Sequence, residues 1–223
     1  MKRQVSIEEI WDGRFYGLND MVKAGCEDCR GCSDCCRGMG NSIILDPLDV
    51  QRLSEGLACD FEALLENCLE LNVVDGVILP NIRQSGTREQ CTFLNAEGRC
   101  SVHSFRPGVC RLFPLGRYYE SGGFQYFLQA GECKKEPKTK VKVKKWLSTP
   151  DLKKYEEFIN AWHYFLEKVE QVVLGDLSDE ALARKINLYL LNTFYMTPFG
   201  KELDFYDQFE KRLQKARHFI GIA

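Results

Sequence analysis

The cysteines are the residues of this chain whose type and spacing indicate chemistry. Five of its eleven cysteines fall in one stretch, which reads Cys26-Glu-Asp-Cys29-Arg-Gly-Cys32-Ser-Asp-Cys35-Cys36. Two cysteines separated by two residues can turn both sulfur atoms toward one point, as the ligands of zinc ions and iron–sulfur clusters do. The spacing therefore predicts a metal-binding loop, in preference to a disulfide framework or a set of buried apolar cysteines.

The adjacent pair Cys35-Cys36 adds a geometric expectation. Neighbouring side chains of an extended backbone point to opposite sides. Two adjacent thiolates are therefore poorly placed to hold one small ion together. We expect the pair to serve two metal centres, or two irons of one cluster.

A second set of cysteines follows later in the chain and brings the number of predicted ligands to eight. The predicted metal ligands are Cys29, Cys32, Cys35, Cys36, Cys91, Cys100, Cys110 and Cys133. Soft thiolate ligands select zinc or iron–sulfur clusters over hard cations. Eight thiolates make two four-thiolate sites, or one site with spare thiols. A zinc ion with thiolate ligands only has no open position, which argues against catalytic zinc.

Three arginines lie close to these cysteines in the sequence, namely Arg37, Arg106 and Arg111. We predict that they bind the cofactor by donating hydrogen bonds to cluster sulfurs, which would tune its potential. The alternative is ordinary pairing with nearby acids such as Asp34. His103 is open to two interpretations, a metal ligand or a hydrogen-bond donor to sulfur.

Composition and charge place limits on the class of protein. The chain has 223 residues, of which 44% are hydrophobic, as expected of a globular protein with a real core. No run approaches the ~18–20 apolar residues of a membrane span, and the N-terminus lacks the apolar core of a signal peptide. These features predict a cytoplasmic protein that does not contact membrane, in which thiols stay reduced and are available to metal.

The apolar pattern predicts an α+β fold with two parts. Residues 1–133 form an irregular, metal-stapled cysteine domain with short hairpins and helices, and residues 150–223 form a three-helix part that packs on it. Helices are expected at 47–57, at 61–71 and from 150 onward, and hairpins at Val73–Ile78 and Tyr118–Phe127. A short strand is expected at 41–45. The aromatic stripes of the C-terminal helices are interpreted as core.

Residues 134–149 form a basic connection between the two parts. Residues 134–145 hold seven lysines and one acid. We interpret the segment as a solvated linker or an edge strand, because Val141 and Val143 alternate with lysines. The alternative is a patch for nucleic acid or an acidic partner, and the lack of interleaved aromatic residues disfavours nucleic acid.

The cysteine pattern resembles that of a known family. The residues that carry the likeness are Cys29-x2-Cys32-x2-Cys35-Cys36, Cys91, Cys100, the Arg106-Pro-x2-Cys110-Arg box and Cys133. They resemble the YkgJ-type cysteine-cluster family over about residues 29–133, which implies zinc or iron chelation. Flagellin lysine N-methylase carries a similar cluster, and that resemblance implies an S-adenosylmethionine-dependent transfer of methyl groups to protein lysine.

The leading functional hypothesis is a protein with one or two 4Fe-4S iron–sulfur clusters, in a redox or cluster-assisted protein-modification role. Its partner would be another protein, either a redox partner or the modification substrate. The alternatives are a structural zinc module and the lysine methyltransferase. No dinucleotide fingerprint, P-loop or His-Glu-x-x-His motif is present. We also expect chelation to unfold residues 26–133 while the C-terminal helices persist.

Overall fold

The computed structural model describes residues 7–26, 32–86, 89–175 and 179–222. Its helices are α1 Ile7–Ile10, α2 Pro47–Leu57, α3 Phe61–Asn67, α4 Gly108–Leu112, α5 Val143–Leu147, α6 Leu152–Gly175, α7 Glu180–Leu191 and α8 Phe205–Ile220. Its strands are β1 Trp11–Tyr16, β2 Met21–Gly25, β3 Leu69–Val74, β4 Val77–Ile82, β5 Gln84–Ser85, β6 Gln90–Cys91, β7 Leu115–Glu120, β8 Gly123–Gln129 and β9 Thr139–Lys142. The fold is α+β, as predicted.

The strands form small antiparallel sheets. One sheet has the order β1-β8-β7, and the other three are the pairs β2-β9, β3-β4 and β5-β6. The β3–β4 turn places Asp75 and Gly76 at positive φ, and the β7–β8 turn does the same with Ser121 and Gly122. Short polar residues and glycine tolerate that conformation, which matches the twist of a two-residue hairpin. Both predicted hairpins are confirmed.

The largest hydrophobic cluster is shared by the helices of both halves of the chain. It joins residues of α2, α3 and the β3–β4 hairpin to residues of α6, α7 and α8. Its centre is aromatic: the ring of Phe158 meets that of Phe209, and Trp162 meets Phe194, each edge to face. The interpretation of the aromatic stripes as core is therefore confirmed. The boundaries predicted at residues 133 and 149 stay predictions.

The local sequence explains where α2 begins. Asp46 accepts a hydrogen bond from the backbone N–H of Asp49, and Asp49 accepts one from that of Asp46, while Pro47 occupies the first turn. This reciprocal cap satisfies two backbone donors that a helix start leaves unpaired. The predicted helix 47–57 is confirmed.

Three local predictions were wrong. The helix predicted for 61–71 ends at Asn67, because the backbone from Leu69 onward pairs with β4. Residues 41–45 are extended but make an isolated bridge between Ile44 and Asn81 instead of a strand. The last helix begins at Phe205, after an Asp204 cap, later than the 201 that the pattern indicated.

The basic connection is folded onto the N-terminal part. Within it, Thr139–Lys142 forms the strand β9, which pairs with β2. The helix α5 follows at once and buries Val143 and Leu147 in a second, smaller hydrophobic cluster. In the described part of the chain, no helix is long and apolar enough to cross a membrane.

Asn187 ties the β3–β4 hairpin to α7. Its Oδ1 accepts from the backbone N–H of Ile78 at 2.6 Å, and its Nδ2 donates to the carbonyl of Gly76 at 3.1 Å. We expect Asn187→Leu to lower the free energy of unfolding by about 1–3 kcal/mol, because both backbone groups lose their partner. Urea unfolding measures this loss.

The matched control for this prediction is Leu188→Ala on the next position of α7. Leu188 is 60% exposed, so its truncation should change stability by less than about 0.5 kcal/mol. Equal effects of the two substitutions would contradict the role assigned to Asn187.

Candidate metal centre

Four predicted ligands from four separate places in the chain border one cavity. Cys35 lies in a short 3-10 turn at Asp34–Cys36, Cys91 ends β6, Cys100 follows a turn, and Cys110 lies in α4. All four border the same cavity. We call Cys35, Cys91, Cys100 and Cys110 the inner group.

Burial and mutual proximity set the proton affinity of the inner group. Burial raises the pKa of Cys91, Cys100 and Cys110, and the neighbouring thiols raise it further. The pKa of Cys110 is raised most clearly by burial, with contributions from Cys91, Cys35 and Cys100. Such thiols stay protonated in the absence of metal, so a metal that binds here must displace their protons.

Backbone pairing holds the segments of the inner group together. Gln84 pairs with Cys91 across β5–β6, and Leu94 bridges to Cys100. The loop after Cys36 joins this region through the bridge between Arg37 and Gln90. These pairings fix the backbone at Cys91 and Cys100 and beside Cys36.

A second group of cysteines borders a different cavity. Cys26, Cys32 and Cys133 border a separate small cavity, and the thiols of Cys26 and Cys32 contribute to the raised pKa of Cys133, which burial raises first. The pairing of Gly25 with Thr139 brings Cys26 to the segment that carries Cys133. We call Cys26, Cys32 and Cys133 the outer group. Cys29, a predicted ligand, lies outside the described residues.

Cys26 is the residue that the predicted ligand set left out. It is 2% exposed and lies with the outer group. The signal was present in the sequence, because Cys26 precedes Cys29 with the same spacing as the other steps of the motif. Its place beside Cys133 depends on the β2–β9 pairing, which local pattern does not reveal.

The geometric argument for the Cys35-Cys36 pair was wrong. The two residues lie in a 3-10 turn and not in the extended backbone that the argument assumed, and the side chain of Cys36 is close enough to that of Cys35 to raise its pKa. This contact is the largest cause of the raised pKa of Cys35. Cys32 and Cys35 border both cavities, whereas Cys36 borders the larger one. The two groups are therefore adjacent at Cys32 and Cys35.

The three arginines have different surroundings. The charge of Arg106 lowers the pKa of Cys35 and Cys100 against the effect of burial. Arg37 instead donates to the side chain of Gln90 at 2.7 Å, which joins the two cysteine loops. Arg111 donates to the backbone carbonyls of Ser104 and Ser148, both at 3.3 Å.

His103, Cys59 and Cys68 are the remaining residues whose side chains could bind a metal. The Arg106 guanidinium contacts Nε2 of His103, and because arginine has no acceptor, that nitrogen must accept the hydrogen bond. Nε2 is thus engaged, which disfavours it as a metal ligand in this arrangement. Cys68 is 6% exposed and its Sγ donates to the carbonyl of Leu64 at 3.4 Å. Cys59 and Cys68 border neither cavity.

A buried carboxylate fixes the helix that carries Cys110. Asp49 is 2% exposed, and its Oδ1 accepts from the backbone N–H of Gly108 at 2.7 Å. Gly108 begins α4, whose own N-cap residue, Pro107, offers no side-chain cap. Asp49 therefore caps α4 from a distant part of the chain. A side chain at position 108 would also collide with the hydroxyl of Tyr155.

The cavity beside the inner group has a volume of about 520 Å³. Its far wall carries Arg117, Tyr155 and Trp162. Arg117 donates to the hydroxyl of Tyr155 at 3.2 Å, while its Nε is buried without a partner. A cavity of this volume is within the usual range of small-molecule sites.

The donor chemistry of both groups fits a thiolate-bound metal. Within residues 7–26, 32–86, 89–175 and 179–222, no three side chains converge on one point as they do in a formed site. Cysteine thiols from separate segments are nevertheless brought together, partly buried and, in the inner group, accompanied by the cation of Arg106. Binding would therefore require local closure of the thiols around the metal, together with proton release.

The Asp46–Asp49 pair gives a pH-dependent prediction. Burial, together with the charge of Asp49, raises the pKa of Asp46 well above its usual value. An acid with a higher pKa in the folded state binds more protons when folded, so stability falls as pH rises from about 4 toward the folded pKa. We expect Asp46→Asn to reduce the fall in unfolding free energy between about pH 5 and 8.

Urea titrations of wild type and variant at both pH values test this prediction, and the difference between the two proteins removes shared effects of the metal. Asparagine is also a good N-cap, so the helix start is retained. An unchanged pH dependence in the variant would contradict the assignment.

These features define a class: an α+β protein that presents two groups of cysteine thiols for soft metal ions. The chain belongs to the CxxCxxCC family, described as "Putative zinc- or iron-chelating domain", whose sequence model matches residues 28–147. This confirms the family inferred from the motif, and with it metal binding as the general property. No curated protein and no solved structure gives a significant match.

Proposed function

We propose that this protein holds two iron–sulfur clusters and acts in a redox or cluster-assisted modification reaction. The observation that carries the proposal is the distribution of the cysteines over two adjoining cavities. Cys91, Cys100 and Cys110 border the larger cavity alone, Cys26 and Cys133 border the smaller one alone, and Cys32 and Cys35 border both. The inner cluster would be held by Cys35, Cys91, Cys100 and Cys110. The outer cluster would be held by Cys26, Cys29, Cys32 and Cys133. This assignment replaces Cys36 of the sequence-based set by Cys26.

The cavity favours iron–sulfur chemistry over a purely structural site at the inner group. A structural zinc site is closed and needs no adjoining space. Here about 520 Å³ lies next to four thiols and is bordered by the guanidinium of Arg117. Such a space would admit a small substrate or the end of a protein side chain to within reach of the inner group.

The residues of the chain have separate tasks in this proposal. An iron–sulfur cluster, when bound, supplies one-electron transfer. The cysteines hold it, and Arg106 stabilises the thiolate form of Cys35 and Cys100. Asp49 positions α4 and thereby Cys110. Tyr155 and Trp162 give the cavity an aromatic lining.

A structural zinc module is the second candidate. Both groups present cysteine thiols, and sites of four thiolates are typical of structural zinc. In that case the protein would act through its surface and not through the cavity. The lysine methyltransferase hypothesis rests on the family resemblance. Calorimetric titration with S-adenosylmethionine tests it, and the absence of heat at millimolar concentration would reject it.

Anaerobic purification followed by metal and sulfide analysis tests the main proposal. We expect a broad absorption band near ~400 nm and about eight irons with equal sulfide per chain, as for two cubane-type clusters. A colourless protein with about two zinc ions would reject the iron–sulfur proposal in favour of the zinc module.

A further inference from the structure

The strongest feature that the metal sites leave unexplained is a rigid, lysine-rich surface on β2, β9 and α5. It consists of Lys23, Lys140, Lys142, Lys144 and Lys145, all exposed, which we call the lysine ribbon. In the described chain none of these five lysines forms an ion pair with a carboxylate. The nearby acid Glu136 is already paired with Lys138 at 2.7 Å.

The strand register places three of these lysines on one face. Val22 lies opposite Val141, and Val22 is 1% exposed, so these two residues face the protein. Lys23, Lys140 and Lys142 alternate with them and face solvent. Like charges on neighbouring strands repel each other, so the arrangement costs stability unless a ligand of opposite charge is bound.

The ribbon is held in place by its backbone and by its buried side. The backbone N–H of Val143 donates to the backbone carbonyl of Asp20 at 3.0 Å, and that of Lys144 donates to the backbone carbonyl of Leu18 at 3.0 Å. Val143 and Leu147 are at most 1% exposed and anchor α5. The lysines therefore form a fixed pattern of charge and not the mobile linker that their composition alone would allow.

The ribbon adjoins the outer group. Cys26 directly follows β2, and Cys133 lies six residues before β9. Lys134 and Lys135 border the same small cavity as Cys26, Cys32 and Cys133, together with the acids Asp34 and Glu132. The positive surface is thus next to the outer group, whereas the inner group borders the larger cavity.

We propose that the lysine ribbon is the docking surface for an acidic one-electron carrier protein that exchanges electrons with the outer cluster. The inference rests on the proposed function. One electron leaves the reduced carrier, which is oxidised, and enters the outer cluster, which is reduced; no bond is made or broken in this step. Complexes between electron-transfer proteins bury little surface, and their association is steered by charge. A charged surface of two strands and one short helix suits such an interface.

Nucleic acid is the alternative ligand for a basic surface, but the lysine ribbon lacks the exposed aromatic side chains that single-strand binders use. Bases stack on exposed aromatic side chains in single-strand binders. The nearest aromatic residue, Trp146, is half-buried and its Nε1 donates to the carbonyl of Leu112 at 3.1 Å. The exposed face of the described strands carries lysines and Met21, but no ring.

Calorimetric binding of an acidic plant-type ferredoxin to the whole metal-loaded protein tests the inference. We expect binding at about 20 mM salt that weakens at least tenfold at about 200 mM salt. The charge reversal K140E/K142E should weaken binding at least tenfold at low salt. The matched control K211E/K215E reverses two exposed lysines of α8 and should leave binding unchanged.

The outcomes separate this inference from the proposed function. Metal content and the visible spectrum of each variant report on the clusters, and circular dichroism reports on the fold. With clusters intact, equal effects of the two charge reversals, or no binding at low salt, would overturn the docking surface. Tighter binding of an oligothymidylate than of ferredoxin, with the same lysine dependence, would also overturn it in favour of nucleic acid.

Discussion

Removal of the metal by a chelator is expected to loosen the cysteine loops while most of the helical structure remains. The expected result is a small loss of far-ultraviolet circular dichroism together with rapid proteolysis in residues 32–42 and 89–107. These segments hold five of the eleven cysteines but little regular structure, so the metal would be their main constraint. The sequence alone predicted a wider effect, the unfolding of residues 26–133.

The shared hydrophobic core is the reason why we expect only the cysteine loops, and not all of residues 26–133, to lose structure. Leu53 and Leu64 of α2 and α3 are at most 1% exposed and belong to the same cluster as Phe165 of α6 and Leu213 of α8. The β3–β4 hairpin is further tied to α7 by Asn187. These elements gain their stability from apolar burial and do not need the metal.

Hydrogen exchange of the metal-free protein, measured peptide by peptide, shows which segments lose their structure. Peptides from α2, β3–β4 and α6 should remain protected, and those from 32–42 and 89–107 should exchange quickly. Reloading with iron and sulfide should restore protection and serves as the control. Loss of protection in α2 and in the β3–β4 hairpin on chelation would contradict the account.

Replacement of Asp49 by alanine should weaken the inner metal site as well as the fold. The change removes the acceptor for the buried N–H of Gly108 and one half of the cap of α2. We expect a loss of about 2–4 kcal/mol in unfolding free energy, the sum of a buried unpaired donor and a lost cap. Because α4 carries Cys110, we also expect roughly half of the iron to be lost from the folded variant.

Asp60→Ala is the matched control for this substitution. Asp60 is the N-cap of the neighbouring helix α3 and accepts from the backbone N–H of Ala63 at 2.8 Å, but it is exposed and does not contact α4. Its replacement should cost about 1 kcal/mol and leave metal content unchanged. Asp49→Asn, which keeps one acceptor oxygen, should retain more metal than alanine. Full metal content in the Asp49→Ala variant would refute the positioning role.

Features fixed by neighbouring residues could be predicted from the sequence. The Asp46-Pro47 helix start, the Asp75-Gly76 turn and the grouping of cysteines in a metal-binding motif each depend on a few adjacent residues. Contacts between distant residues could not be predicted in this way. The Asp49 cap on Gly108, the place of Cys26 beside Cys133 and the anchoring of β9 on β2 join segments separated by many residues.

The end of α3 also depends on contacts between distant residues. Leu64, Cys68 and Leu71 have helical spacing, yet Leu71 lies in β3 opposite Pro80. The hairpin pairs six residues of β3 with β4, and this long-range ladder outweighs the helical preference of the segment. The Cys35-Cys36 argument failed for a related reason, because it assumed an extended backbone where the chain turns.

The most direct test of the account is the metal content of single-cysteine variants. Its central claim is that the cysteines form two separate centres. Cys110→Ser and Cys133→Ser should each lower iron and sulfide from about eight to about four per chain, and the double variant should hold almost none. Cys59→Ala, outside both groups, should keep the full content. Loss of all metal in either single variant, or an unchanged content in both, would contradict the division into an inner and an outer centre.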